Sequence, residues 1–162
     1  MLYAVLSLAL ILLDMLTKRL AIAQIQPVGS IPLIKGVFHL TYAENIGAAF
    51  SILQGKNVFF IVVVSIAVAV MMGILLFLKG HSIPFYLSVA LILAGGAGNL
   101  VDRILYGYVI DFLDFRLIHF PIFNVADICV VSGVILLCIV ILLGKERRTP
   151  AQKEESKHDS DS

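Results

Sequence analysis

The chain has 162 residues, 60% of them apolar and 14% charged, with a mean hydropathy of +1.01 and a formal net charge of +1. A soluble domain is nearer half apolar and a quarter charged, so the composition points away from a water-soluble globule and toward a multi-pass membrane protein built as one domain. Near-neutral charge without a basic groove argues against nucleic acid as a partner, and Cys129 and Cys138, both in one apolar run, suggest neither a disulfide framework nor a zinc site.

The first apolar segment covers about residues 2–23. It has no basic leader and is interrupted by Asp14, so it reads as a retained helix and not as a cleaved signal peptide. Asp14 and Lys18 lie four apart, share one helix face and partly neutralise each other. Residues 24–57 form the longest connection ahead of the tail. Pro27, Gly29 and Pro32 break helix there, and the run 37–42 is rich in strand formers, which predicts a small β layer on the membrane surface. Gly47, Ala48 and Ala49 follow, small enough for close backbone approach.

Residues 58–78 carry no charge over a length that crosses about 30 Å of hydrocarbon. The next span, about 85–105, has Ala90, Ala94 and Gly98 every four residues, a small-residue stripe suited to tight helix packing. Its far end places Asn99, Asp102 and Arg103 on one helical side. The fourth span covers about 122–143. Lys145, Arg147 and Arg148 then open a polar tail, 145–162, that reads as disordered. The expected fold is therefore an all-α membrane protein with a small β part: a four-transmembrane-helix bundle over residues 1–144, followed by the tail.

Four spans put both termini on one side. The basic residues divide evenly between the two sides, so the dense group from Lys145 to Arg148 decides, placing the termini in the cytoplasm. On the opposite side this topology gathers Asp14, Lys18, Asn45, Asn99, Asp102, Arg103, Asp111, Asn124 and Asp127. One-sided polarity of this kind indicates a site at a membrane surface.

Neighbouring cations sort the aspartates. Asp14 has Lys18 in reach, Asp102 is followed by Arg103, and Asp114 has Arg116 two residues on, so these three read as ionised and structural. Asp111, in the loop 106–120, and Asp127, six residues past Pro121 and so about 9 Å along a helix, have no such neighbour. Burial and mutual repulsion raise carboxyl pKa values, the condition for one acid to hold a proton while the other takes one from water. The competing reading pairs Asp127 with Arg103 or Lys18 across helices. A Ser/Lys dyad drawn from Ser30, Ser51, Lys35 and Lys56 is a weaker alternative. No zinc spacing involves His39, His81, His119 or His158, and Gly95-Gly96-Ala97-Gly98 reads as helix packing, not a dinucleotide turn. A proton-coupled carrier needs polar groups along the membrane depth, yet the middle of span two offers only Ser65. A non-catalytic scaffold leaves the acid pair unexplained.

Five motifs occur in order: Asp14-Met15-Leu16-Thr17-Lys18, Asn45-Ile46-Gly47-Ala48-Ala49-Phe50, Gly95 through Arg103, Val109-Ile110-Asp111-Phe112, and Phe123-Asn124-Val125-Ala126-Asp127. Together they closely resemble the bacterial lipoprotein signal peptidase, or signal peptidase II, family. Met15 departs from it, standing where the family often has glutamine. The resemblance implies an inner-membrane aspartic endopeptidase with an extracytoplasmic β-cradle. Its substrate would be a prolipoprotein already carrying diacylglycerol on the lipobox cysteine, cut immediately before that cysteine. By motif, Asp111 and Asp127 match the catalytic pair. Asp14, Lys18, Asn45, Gly47, Asn99, Asp102, Arg103, Asn124 and Ala126 match positions that line or brace the site. The resemblance further implies a membrane-lipid environment, blockade by globomycin, and no metal or cofactor.

Overall fold

The computed structural model describes residues 1–47, 56–118 and 120–144. Ala48, Ala49, Phe50, Ser51, His119 and the tail 145–162, including Lys145, Arg147, Arg148 and His158, lie outside the described residues. The elements in chain order are α1 (Leu2–Leu20), which runs on as a wider π turn over Ala21–Ile25, β1 (Ser30–Ile34), β2 (Phe38–Asn45), α2 (Asn57–Phe77), α3 (Ile83–Leu105), β3 (Val109–Phe115), a 3-10 turn (Arg116–Ile118) and α4 (Val125–Gly144).

Three of these helices, α2, α3 and the stretch Val125–Leu143 of α4, are long and apolar enough to cross a membrane. The fourth, α1, has 19 residues and carries Asp14, Lys18 and Arg19. Their surfaces are apolar outward: α2 has no buried residue at all, and Val58, Phe59, Val62 and Ile66 are exposed. In water such a helix would be an aggregation hazard; in hydrocarbon an apolar surface is the expected one.

The central helix is α3, packed against α1, α2 and α4. The small-residue stripe explains why. Ala90 and Ala94 are buried, the Ser7 hydroxyl of α1 donates to the Ala90 carbonyl at 3.0 Å, and a Cβ on Gly98 would fall 2.6 Å from Asp14 Oδ2. Gly95 plays the same part toward α4, where a Cβ would run into the Ala126 carbonyl oxygen and lie 2.9 Å from the Val130 nitrogen. Gly95→Ala is thus expected to force α3 and α4 apart and to cost about 1–3 kcal/mol. Gly73→Ala, in open space on α2, serves as the control and should be neutral or slightly stabilising. Thermal unfolding of the two variants in detergent checks this; equal midpoints would refute the notch.

The β layer is larger than the sequence suggests. Three strands pair antiparallel in the order β1-β2-β3, and the third comes from the segment read as the loop 106–120. That reading of Asp111 is corrected: it lies on β3 opposite Ala43, is only 2% exposed, and sits in a strand buried on both sides. The near-continuous run Val109-Ile110-Asp111-Phe112 has no alternation to betray a strand. Gly107, at φ +84°, ends α3 in the left-handed region and turns the chain directly into β3. Ile110 and Phe112 pack with Ala21 and Ile25 into a small core that seats the sheet on the end of α1, the two isoleucines and the phenylalanine each contributing roughly 1.5–3 kcal/mol.

The start of the last helix is also corrected. Phe123 pairs with Leu113 of β3 through reciprocal backbone bonds of 2.8 and 3.0 Å, so α4 begins at Val125, not Ile122. Asp127 therefore belongs to the first turn of α4 and not to a point about 9 Å along it.

Candidate active site

Two acids and an amide form the centre. Asn124 is the N-cap of α4 and Asp127 the third residue of the helix. The Asp127 N–H donates to Asn124 Oδ1 at 2.8 Å, and the Asn124 N–H donates to Asp127 Oδ2 at 3.2 Å. This is a capping box, built here with an amide and an aspartate. The Asn124 side chain, fully buried, then donates from Nδ2 to Asp111 Oδ1 at 2.7 Å. A single residue thus joins the two carboxyl groups.

Three asparagines aim their N–H groups at the acids, and in each a donor on the carbonyl end fixes the amide. Asn45 Oδ1 accepts from the Gly47 N–H at 3.0 Å, leaving Nδ2 to donate to Asp111 Oδ2 at 3.0 Å. Asn99 Oδ1 accepts from the Lys18 ammonium at 2.9 Å, leaving Nδ2 to donate to Asp127 Oδ1 at 2.8 Å. Because an ammonium only donates, the Asn99 amide has one possible orientation. Every carboxylate oxygen of the pair therefore accepts a hydrogen bond from an uncharged donor.

The cations are engaged elsewhere. Lys18, 2% exposed, forms ion pairs of 2.8 Å with both Asp14 and Asp102. The expectation that Asp102 pairs with Arg103 is corrected, because adjacent helical residues do not face one another. Arg103 turns the other way, donating from Nη2 to the Gly47 carbonyl at 2.6 Å and lying 4.5 Å over the Phe60 ring. Its Nη1 is buried and has no hydrogen-bond partner among the described residues. Asp127 makes no ion pair among the described residues, which removes the competing reading. Ser30 bonds His39, Thr41 and Arg116 and no lysine among the described residues, and Ser51 lies outside them, so nothing described supports the Ser/Lys dyad.

The remaining acids behave differently. Asp114 accepts from Thr41 Oγ1 at 2.6 Å and Arg116 Nε at 2.7 Å. Burial alone would raise its pKa, but these bonds and the arginine's charge outweigh it and hold the carboxyl below the ordinary range. At Asp111 burial dominates, Asp127's charge adds to it, and the amides of Asn45 and Asn124 compensate only in part, so its pKa rises to about 7.

The pair lines a cavity of about 1000 Å³ between α2 and α4, floored by α3. Asn45, Asn99, Arg103, Asp111 and Asp127 line it together with Glu44 and Ser132; the remaining walls are mostly apolar, with Val64, Gly96, Ile128 and Val131 among them. Such a shape suits an extended ligand with one polar stretch and a long apolar portion. Of the eleven residues singled out from the sequence, Asn45, Gly47, Asn99, Arg103, Asp111 and Asp127 line this cavity, whereas Asp14, Lys18, Asp102, Asn124 and Ala126 do not line it and connect to those residues through hydrogen bonds and ion pairs. Phe60 and Asn57, whose amide donates to the Arg103 carbonyl at 3.1 Å, were not foreseen, since both open an otherwise featureless apolar span.

The chain is similar in sequence and fold to known proteins. Residues 6–143 match the family model described as signal peptidase (SPase) II. The chain is 45% identical over 147 residues to the lipoprotein signal peptidase of Brevibacillus brevis, covering 90% of this chain and 99% of that one. It is 44% identical to that of Clostridioides difficile, covering 88% and 95%. It also superimposes on a bacterial membrane enzyme solved by the in meso method at 2.3 Å, with a TM-score of 0.81 and 29% identity over 91% of this chain and 92% of the other.

Proposed function

Because the chain belongs to the signal peptidase (SPase) II family, we propose that it is a membrane peptidase that removes signal peptides from diacylglyceryl-modified prolipoproteins, cutting before the lipidated cysteine with Asp111 and Asp127 as its catalytic pair. The observation that carries the residue assignment is the hydrogen-bond set of the two carboxyls: uncharged donors on every oxygen, one shared amide, and no cation in contact among the described residues. Such a pair retains one proton between its members. The ionised carboxyl takes a proton from the attacking water. The protonated one polarises the scissile carbonyl and afterwards protonates the leaving amine. The amides hold both acids in place without adding charge that would strip the shared proton.

The cavity supports the substrate class. Its polar residues accommodate the scissile peptide, and its apolar walls between α2 and α4 accommodate the lipidated cysteine and the signal-peptide core. On this reading residues 1–144 are the peptidase domain, and α1 is the fourth span beside α2, α3 and α4. The three-stranded sheet is the cradle at the extracytoplasmic face of the cytoplasmic membrane, and both termini are cytoplasmic. Globomycin-type cyclic peptides occupy the same cavity. Incubation of the purified chain with a diacylglyceryl-modified precursor tests the proposal. Release of the signal peptide, and its absence with an unlipidated precursor, is the expected result; flux across proteoliposomes without any cleavage would overturn it.

A pH dependence follows from Asp111. Its carboxyl, raised to about 7 by burial and by Asp127, loses the shared proton above that value. Cleavage is therefore expected to decline as pH rises through about 7, a basic limb measurable in kcat/KM at constant ionic strength. A rate still rising at pH 9 would contradict a shared-proton pair.

A further inference from the structure

Lys18 touches neither Asp111 nor Asp127, yet its bonds converge on the main chain ahead of both. Nζ pairs with Asp14 Oδ2 and Asp102 Oδ2 at 2.8 Å each and donates to Asn99 Oδ1 at 2.9 Å. Asp14 Oδ1 accepts the N–H of Ala126, one residue before Asp127, at 2.8 Å. Asp102 Oδ2 accepts the N–H of Ile110, one residue before Asp111, at 3.1 Å. All three charged groups are nearly inaccessible, Asp14 at 1%, Lys18 at 2% and Asp102 at 4% exposure.

We propose that Lys18 is a positioning residue whose one buried ammonium sets the separation of the two carboxyls, by tying together the two acids that each hold the backbone ahead of one of them. The proposal rests on Asp111 and Asp127 being the catalytic pair. An ammonium has three donors and no acceptor, and here it lies within 2.9 Å of three acceptors from α1 and α3, donating a hydrogen bond to Asn99 and forming ion pairs with Asp14 and Asp102. Without it, two buried carboxylates face each other uncompensated and move apart, taking Ile110 and Ala126 with them. Misplacement by about an ångström in a pair that must share one water costs about a hundredfold in rate. Arginine is no substitute, because its planar fork cannot direct donors at three acceptors grouped around one point. The amide of Asn99 would also lose the donor that fixes its orientation toward Asp127.

The experiment compares Lys18→Met, Lys18→Arg and the double variant Lys18→Met/Asp14→Asn, each full length in nanodiscs with a diacylglyceryl-modified precursor. Among the described residues, the charged groups around the pair are Asp14 and Lys18 of α1, Glu44 of β2 at the cavity rim, and Asp102 and Arg103 of α3. Lys18→Met is expected to lose about a hundredfold in kcat with KM unchanged, and its acid limb moves to higher pH because a cation is gone. The double variant removes an anion with the cation. It should fold better, and its acid limb returns toward wild type while kcat stays low. Lys18→Arg keeps the charge and the limb but does not recover kcat. A lysine with only a structural role would lower activity in proportion to folded protein and leave kcat per folded enzyme at the wild-type value in every variant, whatever the charge change does to the acid limb; that result overturns the proposal. Asp111→Asn and Asp127→Asn run in parallel. If either turns over, the catalytic reading fails and takes this proposal with it; if both are dead while the lysine variants match wild type, only the role of Lys18 falls.

Discussion

Replacing either Asp111 or Asp127 with asparagine is expected to abolish cleavage of a lipidated precursor while leaving the protein folded and inserted. An amide neither takes a proton from water nor donates one to a leaving amine, so the loss is at least the 10²–10⁴-fold ascribed to one acid–base group, and greater where the same pair serves both steps. Folding is spared for a local reason. Asp111 accepts N–H bonds on both oxygens, from Asn45 and Asn124. An asparagine there keeps one acceptor and turns a donor against the other amide, a mismatch worth about 1–3 kcal/mol. At Asp127 the bond to the Asn124 N–H is at risk in the same way, and the cap weakens without being lost. Mass spectrometry of the precursor and near-native unfolding midpoints together check the claim. Appreciable turnover by either purified variant would remove that residue from the mechanism.

Asn124→Ser and Asn124→Ala separate two jobs done by one side chain. Serine caps helices about as well as asparagine, so α4 should begin where it does now, whereas alanine costs about 0.5–2 kcal/mol of stability. Neither reaches Asp111, so both lose the 2.7 Å bond to its Oδ1. A hydrogen bond to a charged group is worth about 1.5–3 kcal/mol, which corresponds to roughly ten- to a hundredfold in rate if it is needed throughout the reaction. Loss of this donor also removes one of the two amides that lower the Asp111 pKa, so the basic limb of the pH profile moves to higher pH in both variants. If serine retains wild-type activity, Asn124 is a cap and nothing more. Equal stability of the serine and alanine variants would instead show that the cap is dispensable.

What was legible in the sequence was whatever depends on local pattern. An uninterrupted apolar run such as 58–77 has to be a helix in hydrocarbon, because only intrahelical bonds satisfy its backbone there. Asp14 and Lys18 had to meet, since four residues is one helical turn, and they do at 2.8 Å. Asn124 and Asp127 stand three apart near a helix start, but with the span read from residue 122 their capping bonds emerged only from the structure. Asp111 and Asp127 could be marked as acids without a neighbouring cation, and neither forms an ion pair among the described residues. The ordered motifs added the family.

Other features depended on groups distant in the chain. Strand β3 packs on the end of α1 and is buried along most of its length, so its residues show no alternation, and the pairing of Leu113 with Phe123 delays the start of α4. Asp102 beside Arg103 looked like an ion pair, but the turn of α3 sends one toward Lys18 and the other toward Phe60. The amide orientations of Asn45 and Asn99 were likewise invisible, because the donors that fix them come from a local turn and from another helix. Hydropathy and periodicity record what each residue prefers as a solvent. Which of two polar groups meets a given carboxyl is decided by packing, because small residues at Gly95 and Gly98 bring α3 against α4 and α1 closely enough for direct bonds. The sequence by itself determined that an acid pair exists at one end of a helical membrane protein; the tertiary structure decided how Asn124 joins its two members and where Lys18 stands behind them.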